Sequence, residues 1–493
     1  MACRALARRL AALLLVLGLA TPLGARTAVG RNDGRPEAPA AEPSTVRSLA
    51  RTTHQGTFRG RAVVYEATVD EVRVSAGSGP PTATVVVTSY EAAGVPDRVR
   101  RPVIFAFNGG PGASSSPLHL SALGPRRYAI DAGGERVMVD NPFSPLDVAD
   151  LVFVDPVGTG FSRPLPEATG DPFWTVTGDA ASVAQAIQAW LEAHGREASP
   201  RFLCGESYGT TRVAQMVDAH PGLRFDGVLL LSVTGGPVDP DEAQAMLVPT
   251  YAVTAAFHGM VDPRGRTPHA IFDDAVAFAR GRYLAALKLG ASRTTVETAR
   301  VADELSARIG LPAAILRDAG LAVDRDTFMK TLLASRGLRT GQLDTRVTGP
   351  LAEFARKTPP YDDPSMPGAR PFTRPTPHLY FTRELGVASE SPYVPLNLEV
   401  NGRWHMDRPE ALQDPLGLVG AAMRRESRMR VFWVAGLYDL TTPLASGRYL
   451  LDRAGIPPAR VTTLAAPTGH MPYDGDAALQ RFTGAVARFV TAR

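Results

Sequence analysis

The sequence predicts an α/β fold in which helices cover a mostly parallel β-sheet and a helical cap is inserted into the core. Two observations lead to this prediction. Short apolar runs alternate with amphipathic helical segments in the first half of the chain and return near its end, and runs this continuous are typical of strands covered on both faces. Between them, a long stretch shows helical patterns without strands.

The strands are predicted from apolar or β-branched runs bounded by glycine and proline. Residues 61–74 and 83–90 form an antiparallel pair that opens the sheet, and the later strands cover residues 103–107, 151–155, 201–204, 227–231 and 431–435. Val183, Ile187, Trp190 and Leu191 lie at helical spacing before Gly195. A helix between two strands indicates that these strands run parallel.

The cap is predicted over residues 241–384, between core segments 46–240 and 385–493. One of its helices begins at Thr267-Pro268 and ends at Gly290, and a capping box at residues 294–297 opens another that ends at Gly310. A cap of this kind lies over the strand ends, where such sheets bind ligands.

The first 45 residues are predicted to lie outside the fold. Arg4, Arg8 and Arg9 precede the apolar residues 10–19 and a small-residue stretch that ends at Ala25, which is the layout of a secretory signal peptide over residues 1–25. A lone membrane anchor is the alternative, but the apolar run is short for one. Residues 26–45 read as a flexible linker, so we expect a secreted or periplasmic protein with no stable membrane span after cleavage.

Composition excludes several classes of partner and cofactor. Loss of the three leader arginines lowers the net charge from +4 to +1, which gives no electrostatic basis for binding nucleic acid. The nine histidines are scattered without metal-ligand spacing, and no cofactor is expected. Cys204 is the one cysteine beyond the leader; it reads as a buried strand residue.

The pentapeptide at residues 205–209, GESYG, follows a predicted strand and precedes a predicted helix. Glycines on both sides of Ser207 permit the tight strand-to-helix turn that exposes a nucleophilic serine in α/β-hydrolases. The fold prediction is therefore an α/β-hydrolase fold, with Ser207 as its nucleophile.

A serine nucleophile needs a histidine to accept its proton and a carboxylate to orient that histidine. Asp439 follows the strand 431–435, and His470 follows a strand-like run at 461–465. Both come after Ser207 in the order Ser, Asp, His of this fold. The sequence thus predicts a catalytic triad of Ser207, Asp439 and His470.

The glycine-rich loop at residues 108–112, NGGPG, follows the strand 103–107 and exposes backbone N–H groups. We expect the N–H of Gly110 and that of Tyr208, the residue after the nucleophile, to form an oxyanion hole.

Four blocks together resemble the serine carboxypeptidase family, as a bacterial-type member: NGGPGASS at 108–115, DPVGTGFS at 155–162, GESYG at 205–209 and GHMPY at 469–473. The resemblance implies an enzyme that releases C-terminal amino acids from peptide substrates. It also implies that Asn108, Gly109 and Glu206 bind the substrate carboxylate. Two ionised carboxylates repel, so binding through Glu206 should favour acidic pH.

The chain departs from the family pattern at two positions. Ala113 stands where eukaryotic members usually have cysteine, and Ala122 stands near the place of an acidic residue that precedes Leu-Gly-Pro. Either His119 supplies a positive charge in place of that acid, or it is a packed loop residue and carboxylate capture is weaker. An esterase or acyltransferase on the same scaffold and a non-catalytic binding protein are the alternative functions.

Overall fold

The computed structural model describes residues 46–77, 79–358, 360–366 and 375–492. The predicted signal peptide and linker lie outside these residues. No helix in the described ranges combines the length and the apolar character needed to cross a bilayer.

A ten-stranded sheet forms the centre of the fold, and it confirms the predicted α/β class. Its strands are β1 (Val46–Phe58), β2 (Arg61–Val74), β3 (Ala83–Ala92), β4 (Val103–Phe107), β7 (Asp150–Asp155), β8 (Arg163–Pro164), β9 (Arg201–Glu206), β10 (Gly227–Leu231), β13 (Arg430–Gly436) and β14 (Val461–Ala466). Two hairpins complete the numbering: β5 (Arg126–Ile130) with β6 (Arg136–Asp140), and β11 (Leu338–Thr340) with β12 (Thr348–Pro350).

The order across the sheet is β1-β2-β3-β7-β4-β9-β10-β13-β14, and β8 pairs with β3. The pairs β1–β2, β2–β3 and β3–β7 are antiparallel. From β7 onward in this order, the strands β7, β4, β9, β10, β13 and β14 run parallel. The parallel strands β4, β7 and β10 are buried along their whole length, because helices cover both faces as their apolar runs predicted. Their carboxyl ends therefore meet at one edge of the sheet.

Strand β1 was missed by the sequence analysis. It pairs along its length with β2, but most of its residues are partly or fully exposed. Its sequence is polar and lacks the apolar run that identifies a core strand, because β1 is the edge strand of the sheet.

The main helices against the sheet are Val176–His194, Tyr208–Ala219, Leu444–Arg453 and Asp476–Thr491, and Pro415–Arg425 packs on the second and third of these. The first of these contains the predicted apolar stripe. It ends at Gly195, which has φ 62° and closes the helix in the left-handed conformation.

The predicted cap contains the helices Pro240–Ala245, Val248–Phe257, Pro268–Phe278, Leu284–Leu289, Thr295–Ile309, Ala313–Asp318, Arg325–Thr331, Leu351–Phe354 and Thr376–Leu379. The Thr294 hydroxyl caps the helix Thr295–Ile309 at its predicted start, where it accepts the Glu297 N–H at 3.1 Å. The expectation of helices alone was wrong, because the β11–β12 hairpin lies within this segment. Its three-residue strands are too short to produce a recognisable period in the sequence.

Candidate active site

Ser207 lies between the end of β9 and the start of the helix Tyr208–Ala219. Its φ of 59° and ψ of −129° are a strained conformation for a residue with a side chain. A Cβ on Gly205 would lie 2.3 Å from the carbonyl oxygen of Gly209, so the turn closes only without a side chain there. The strained strand-to-helix turn predicted from the pentapeptide is therefore present.

Asp439 and His470 lie in the loops after β13 and β14 and contact each other directly. The Nδ1 atom of His470 is 2.7 Å from Oδ2 of Asp439, whose side chain is fully buried. Asp439 also accepts the N–H groups of Thr441 and Thr442 at 2.7 and 3.0 Å. This arrangement holds a proton on Nδ1 and leaves Nε2 as the acceptor nitrogen.

The turn of Ser207 and the loop of His470 are joined at the end of β10. The N–H of Ser207 donates to the Leu231 carbonyl at 2.9 Å, and the hydroxyl of the next residue, Ser232, donates to the His470 carbonyl at 2.6 Å. The structure thus links the turn of the predicted serine to the loop of the predicted histidine through the end of β10, with the aspartate bound to the histidine.

Burial alone lowers the pKa of His470, but the charge of Asp439, their hydrogen bond and the charge of Glu206 outweigh it. The net result is a pKa above the ordinary value for histidine. A raised pKa is expected for a proton acceptor paired with a buried carboxylate.

The loop after β4 lies directly against the turn of Ser207. A Cβ on Gly109 would lie 2.4 Å from the Tyr208 nitrogen, so only glycine permits this approach. Gly110 has φ 98° and lines the same cleft as Ser207 and Tyr208. Because Tyr208 is the first residue of its helix, its N–H has no intrahelical partner. The two predicted oxyanion donors therefore lie on adjoining segments.

A buried ion pair behind this loop was missed by the sequence analysis. Arg212 and Asp179, 1% and 2% exposed, are joined by an Nε–Oδ2 contact of 2.7 Å. Arg212 also donates to the Asn108 carbonyl at 2.6 Å. The one signal in the sequence is an arginine at position 212, directly beside the apolar positions 213, 216 and 217 of the helix after the nucleophile.

Glu206 is 3% exposed and accepts the Tyr473 hydroxyl at 2.7 Å. The Asn108 side chain also hydrogen-bonds it, while Oδ1 of Asn108 accepts the Leu118 N–H at 3.0 Å. Burial raises the pKa of Glu206 to about 7, and the charge of His470 and these hydrogen bonds only partly oppose this. Two of the three predicted carboxylate-binding residues are therefore bonded to each other, and Tyr473 is a partner that the motif did not assign.

His119 is a packed residue and does not supply a charge. It is 1% exposed, stacks on Phe153 with ring centroids 4.1 Å apart and bonds the Tyr90 hydroxyl at 2.7 Å. Burial lowers the pKa of His119 to about 3, so the ring is neutral. Of the two readings of His119, the structure favours the packed loop residue.

A cleft of about 560 Å³ opens beside Ser207, Gly110 and Tyr208. Met406 and Leu412 line its wall, and among the described residues no carboxylate, amine, guanidinium or imidazole group does. Glu206 does not line this cleft. In the part of the chain that the structure describes, no group of three or more metal-ligating side chains comes together, and Cys204 is a buried free thiol.

Residues 89–220 match the family model described as serine carboxypeptidase. Serine carboxypeptidase-like 21 of Arabidopsis thaliana is 29% identical over 140 residues, which are 26% of this chain and 28% of that protein. Serine-type carboxypeptidase F of Aspergillus niger is 30% identical over 150 residues, which are 29% of this chain and 27% of that protein. The chain thus aligns with less than a third of the length of these relatives.

Among solved structures, the chain is similar to Kex1, a prohormone-processing carboxypeptidase of Saccharomyces cerevisiae. The TM-score is 0.53 at 14% identity, over 86% of this chain and 90% of that chain, which supports a shared α/β-hydrolase fold. Residues 89–220 hold the glycine-rich loop, the DPVGTGFS block and the serine turn. Over these residues the chain is similar to the serine carboxypeptidases, and over most of its length it shares the α/β-hydrolase fold.

Proposed function

We propose that this chain is a serine carboxypeptidase that releases single C-terminal amino acids from peptides through an acyl-enzyme on Ser207. The observation that carries the proposal is the position of Glu206. A buried carboxyl with a pKa of about 7 directly precedes the serine and is hydrogen-bonded by Tyr473 and Asn108.

In the proposed mechanism, Nε2 of His470 accepts the Ser207 proton as Oγ attacks the carbonyl carbon of the last peptide bond. The N–H groups of Gly110 and Tyr208 stabilise the oxyanion. Protonated His470 then donates its proton to the leaving nitrogen, which releases the amino acid. Water attacks the acyl-enzyme by the same route in reverse, with His470 again as base and Asp439 holding its tautomer.

The free carboxylate of the substrate would bind to Glu206, Asn108 and the N–H of Gly109. Protonated Glu206 donates a hydrogen bond to this carboxylate, whereas ionised Glu206 repels it. Binding of free-acid substrates should therefore be strongest below about pH 7, the pKa of Glu206.

The test is hydrolysis of an N-blocked dipeptide with a free C-terminus, compared with its C-terminal amide. We expect preference for the free acid at acidic pH and complete loss of turnover in Ser207→Ala. Equal turnover of acid and amide would contradict carboxylate binding. Transfer of the acyl group to an added alcohol in preference to water would favour the alternative function, an acyltransferase.

We also propose that the protein is exported and that residues 241–384 are an inserted cap. The leader of residues 1–25 and the linker of residues 26–45 support export, and the near-neutral charge that remains after cleavage fits a peptide substrate better than nucleic acid. Export of the full chain, followed by N-terminal sequencing of the product, should give a start near residue 26. A product that retains Met1 would contradict cleavage.

A further inference from the structure

The loop between β11 and β12, residues 341–347, contacts the loop that carries Asp439 and the loop that carries His470. The N–H of Leu440 donates to the Gln342 carbonyl at 3.0 Å, and the N–H of Thr345 donates to the Tyr438 carbonyl at 3.0 Å. Tyr438 and Leu440 are the two neighbours of Asp439 in the chain. The loop therefore holds the backbone on both sides of Asp439.

The same loop also binds His470 itself. The N–H of His470 donates to the Leu343 carbonyl at 2.7 Å, and a Cβ on Gly469 would lie 2.5 Å from the Asp344 Cβ. Asp439 and His470 are 31 residues apart in the chain, yet one short loop of the cap segment contacts the backbone of both. A shift of this loop would change the relative position of the two side chains.

Asp363 is the side chain that anchors this loop from within the cap segment. Its carboxylate accepts the N–H of Gln342 at 3.0 Å and that of Leu343 at 3.2 Å. It also accepts the N–H and the hydroxyl of Ser365 at 2.9 and 2.7 Å, and that hydroxyl in turn accepts the Asp344 N–H at 3.1 Å. Gln342 and Leu343 are thus bound to Asp363 by their N–H groups and to the triad loops by their carbonyls.

We propose that Asp363 is a positioning residue for the Asp439–His470 pair, acting through Gln342 and Leu343. The expected fall in kcat rests on the proposed function, whereas the expected change in the loops that carry Asp439 and His470 does not. Without the carboxylate, the N–H groups of Gln342 and Leu343 lose their acceptor, and the carbonyls that hold Leu440 and His470 are no longer fixed. A misplacement of about 1 Å can reduce a catalytic rate by about 10²-fold.

The experiment compares Asp363→Ala with Asp324→Ala, a matched change in the same cap segment. Asp324 accepts the Thr327 N–H at 2.7 Å at the start of the helix Arg325–Thr331, so its loss also removes a carboxylate that caps backbone N–H groups. Hydrogen–deuterium exchange on the full chain is measured over residues 438–442 and 468–472. We expect faster exchange there in Asp363→Ala only.

For the blocked dipeptide, we expect Asp363→Ala to lower kcat by roughly 10- to 100-fold while KM changes little. Asp363→Asn should lower kcat less than Asp363→Ala but still below the wild-type value, because its amide keeps only one of the two acceptor oxygens. Unchanged exchange and unchanged kcat in Asp363→Ala would overturn the inference, as would equal effects from Asp324→Ala.

If Asp363→Ala does not fold, Asp363→Asn decides: slowed turnover with faster exchange over 468–472 supports the inference, and wild-type values for both overturn it. If the wild type does not cleave the dipeptide, the proposed function fails. The exchange comparison would still decide whether Asp363 holds the two loops.

Discussion

Replacement of Arg212 by methionine tests whether the buried Arg212–Asp179 pair supports the site. Methionine has a similar length but carries no charge and no donor. The change leaves the Asp179 carboxylate, 2% exposed, with the Tyr208 hydroxyl at 3.4 Å as its remaining side-chain partner. The Asn108 carbonyl loses a donor at 2.6 Å.

Removal of one partner from a buried ion pair destabilises a fold by about 3–5 kcal/mol, because the other charge stays buried without compensation. Burial raises the pKa of Asp179, and the charge and hydrogen bond of Arg212 oppose this, which is the compensation that the variant removes. A double variant, Arg212→Met with Asp179→Leu, removes both charges. It should therefore be less destabilised than Arg212→Met alone.

The assay is urea unfolding at pH 7, followed by tryptophan fluorescence, for the wild type, the single variant and the double variant. A loss below about 1 kcal/mol in Arg212→Met would refute the reasoning, since that is the range of an exposed ion pair. A double variant whose free energy of unfolding falls as far as that of Arg212→Met would also refute it.

The same substitution should slow turnover. The Arg212 guanidinium lies 5.0 Å from the Phe107 ring centre and 5.4 Å from that of Tyr208, so it contacts both segments that carry the proposed oxyanion donors. Loss of a complete oxyanion donor lowers kcat by about 10²–10³-fold. We expect Arg212→Met to lower kcat by less than this. The kcat of Arg212→Lys should lie between that of the wild type and that of Arg212→Met.

Four further outcomes are expected. Asp439→Asn should lower kcat by about 10⁴-fold in the dipeptide assay, because an amide favours the wrong histidine tautomer. The pKa of Glu206 is about 7 in the fold, above its ordinary value of 4.5. Between pH 4.5 and 7 the folded chain therefore keeps a proton on Glu206 that the unfolded chain has lost, and the free energy of unfolding falls as pH rises. Glu206→Gln should remove this fall, which amounts to about 2.5 kcal/mol between pH 5 and 8 in urea unfolding. Met406→Glu should favour substrates with lysine rather than leucine immediately before the released residue. The ratio of the two kcat/KM values should rise by up to about fivefold, and Met406→Gln should leave it unchanged. Cys204, buried and with its pKa raised chiefly by burial, should react with a thiol reagent only after unfolding, as measured by absorbance.

The sequence was sufficient to predict the parts of the fold that rest on local patterns. Strands β4 and β10 have the predicted bounds, because a strand buried on both faces needs an unbroken apolar run. The strained turn at Ser207 was predictable because it requires flanking glycines within five residues. The contact between Asp439 and His470 was predictable from their places after strands, since parallel strands bring such residues to one edge.

The supports of the site could not be predicted in the same way. Arg212 bonds a carboxylate 33 residues away, and Tyr473 bonds Glu206 across 267 residues. No local pattern encodes such contacts, because they depend on how complete elements pack. The exposed strand β1 was missed for a related reason, since its residues bury too little apolar surface to leave a pattern.

The proposed mechanism places two opposite demands on neighbouring buried groups. Glu206 must hold a proton to bind the substrate carboxylate, and His470 must lack one to act as base. The negative charge of Glu206 is one of the causes that raise the pKa of His470. A proton on Glu206 removes that charge and therefore lowers the pKa of His470. Bound substrate favours the state with the proton on Glu206, because only that state gains a hydrogen bond between the two carboxyl groups. Because the substrate carboxylate brings its own negative charge, the proton on Glu206 prevents a second negative charge from accumulating near His470 when the substrate binds. With Glu206 ionised, the two charges together would hold the proton on His470 more firmly and oppose its action as base.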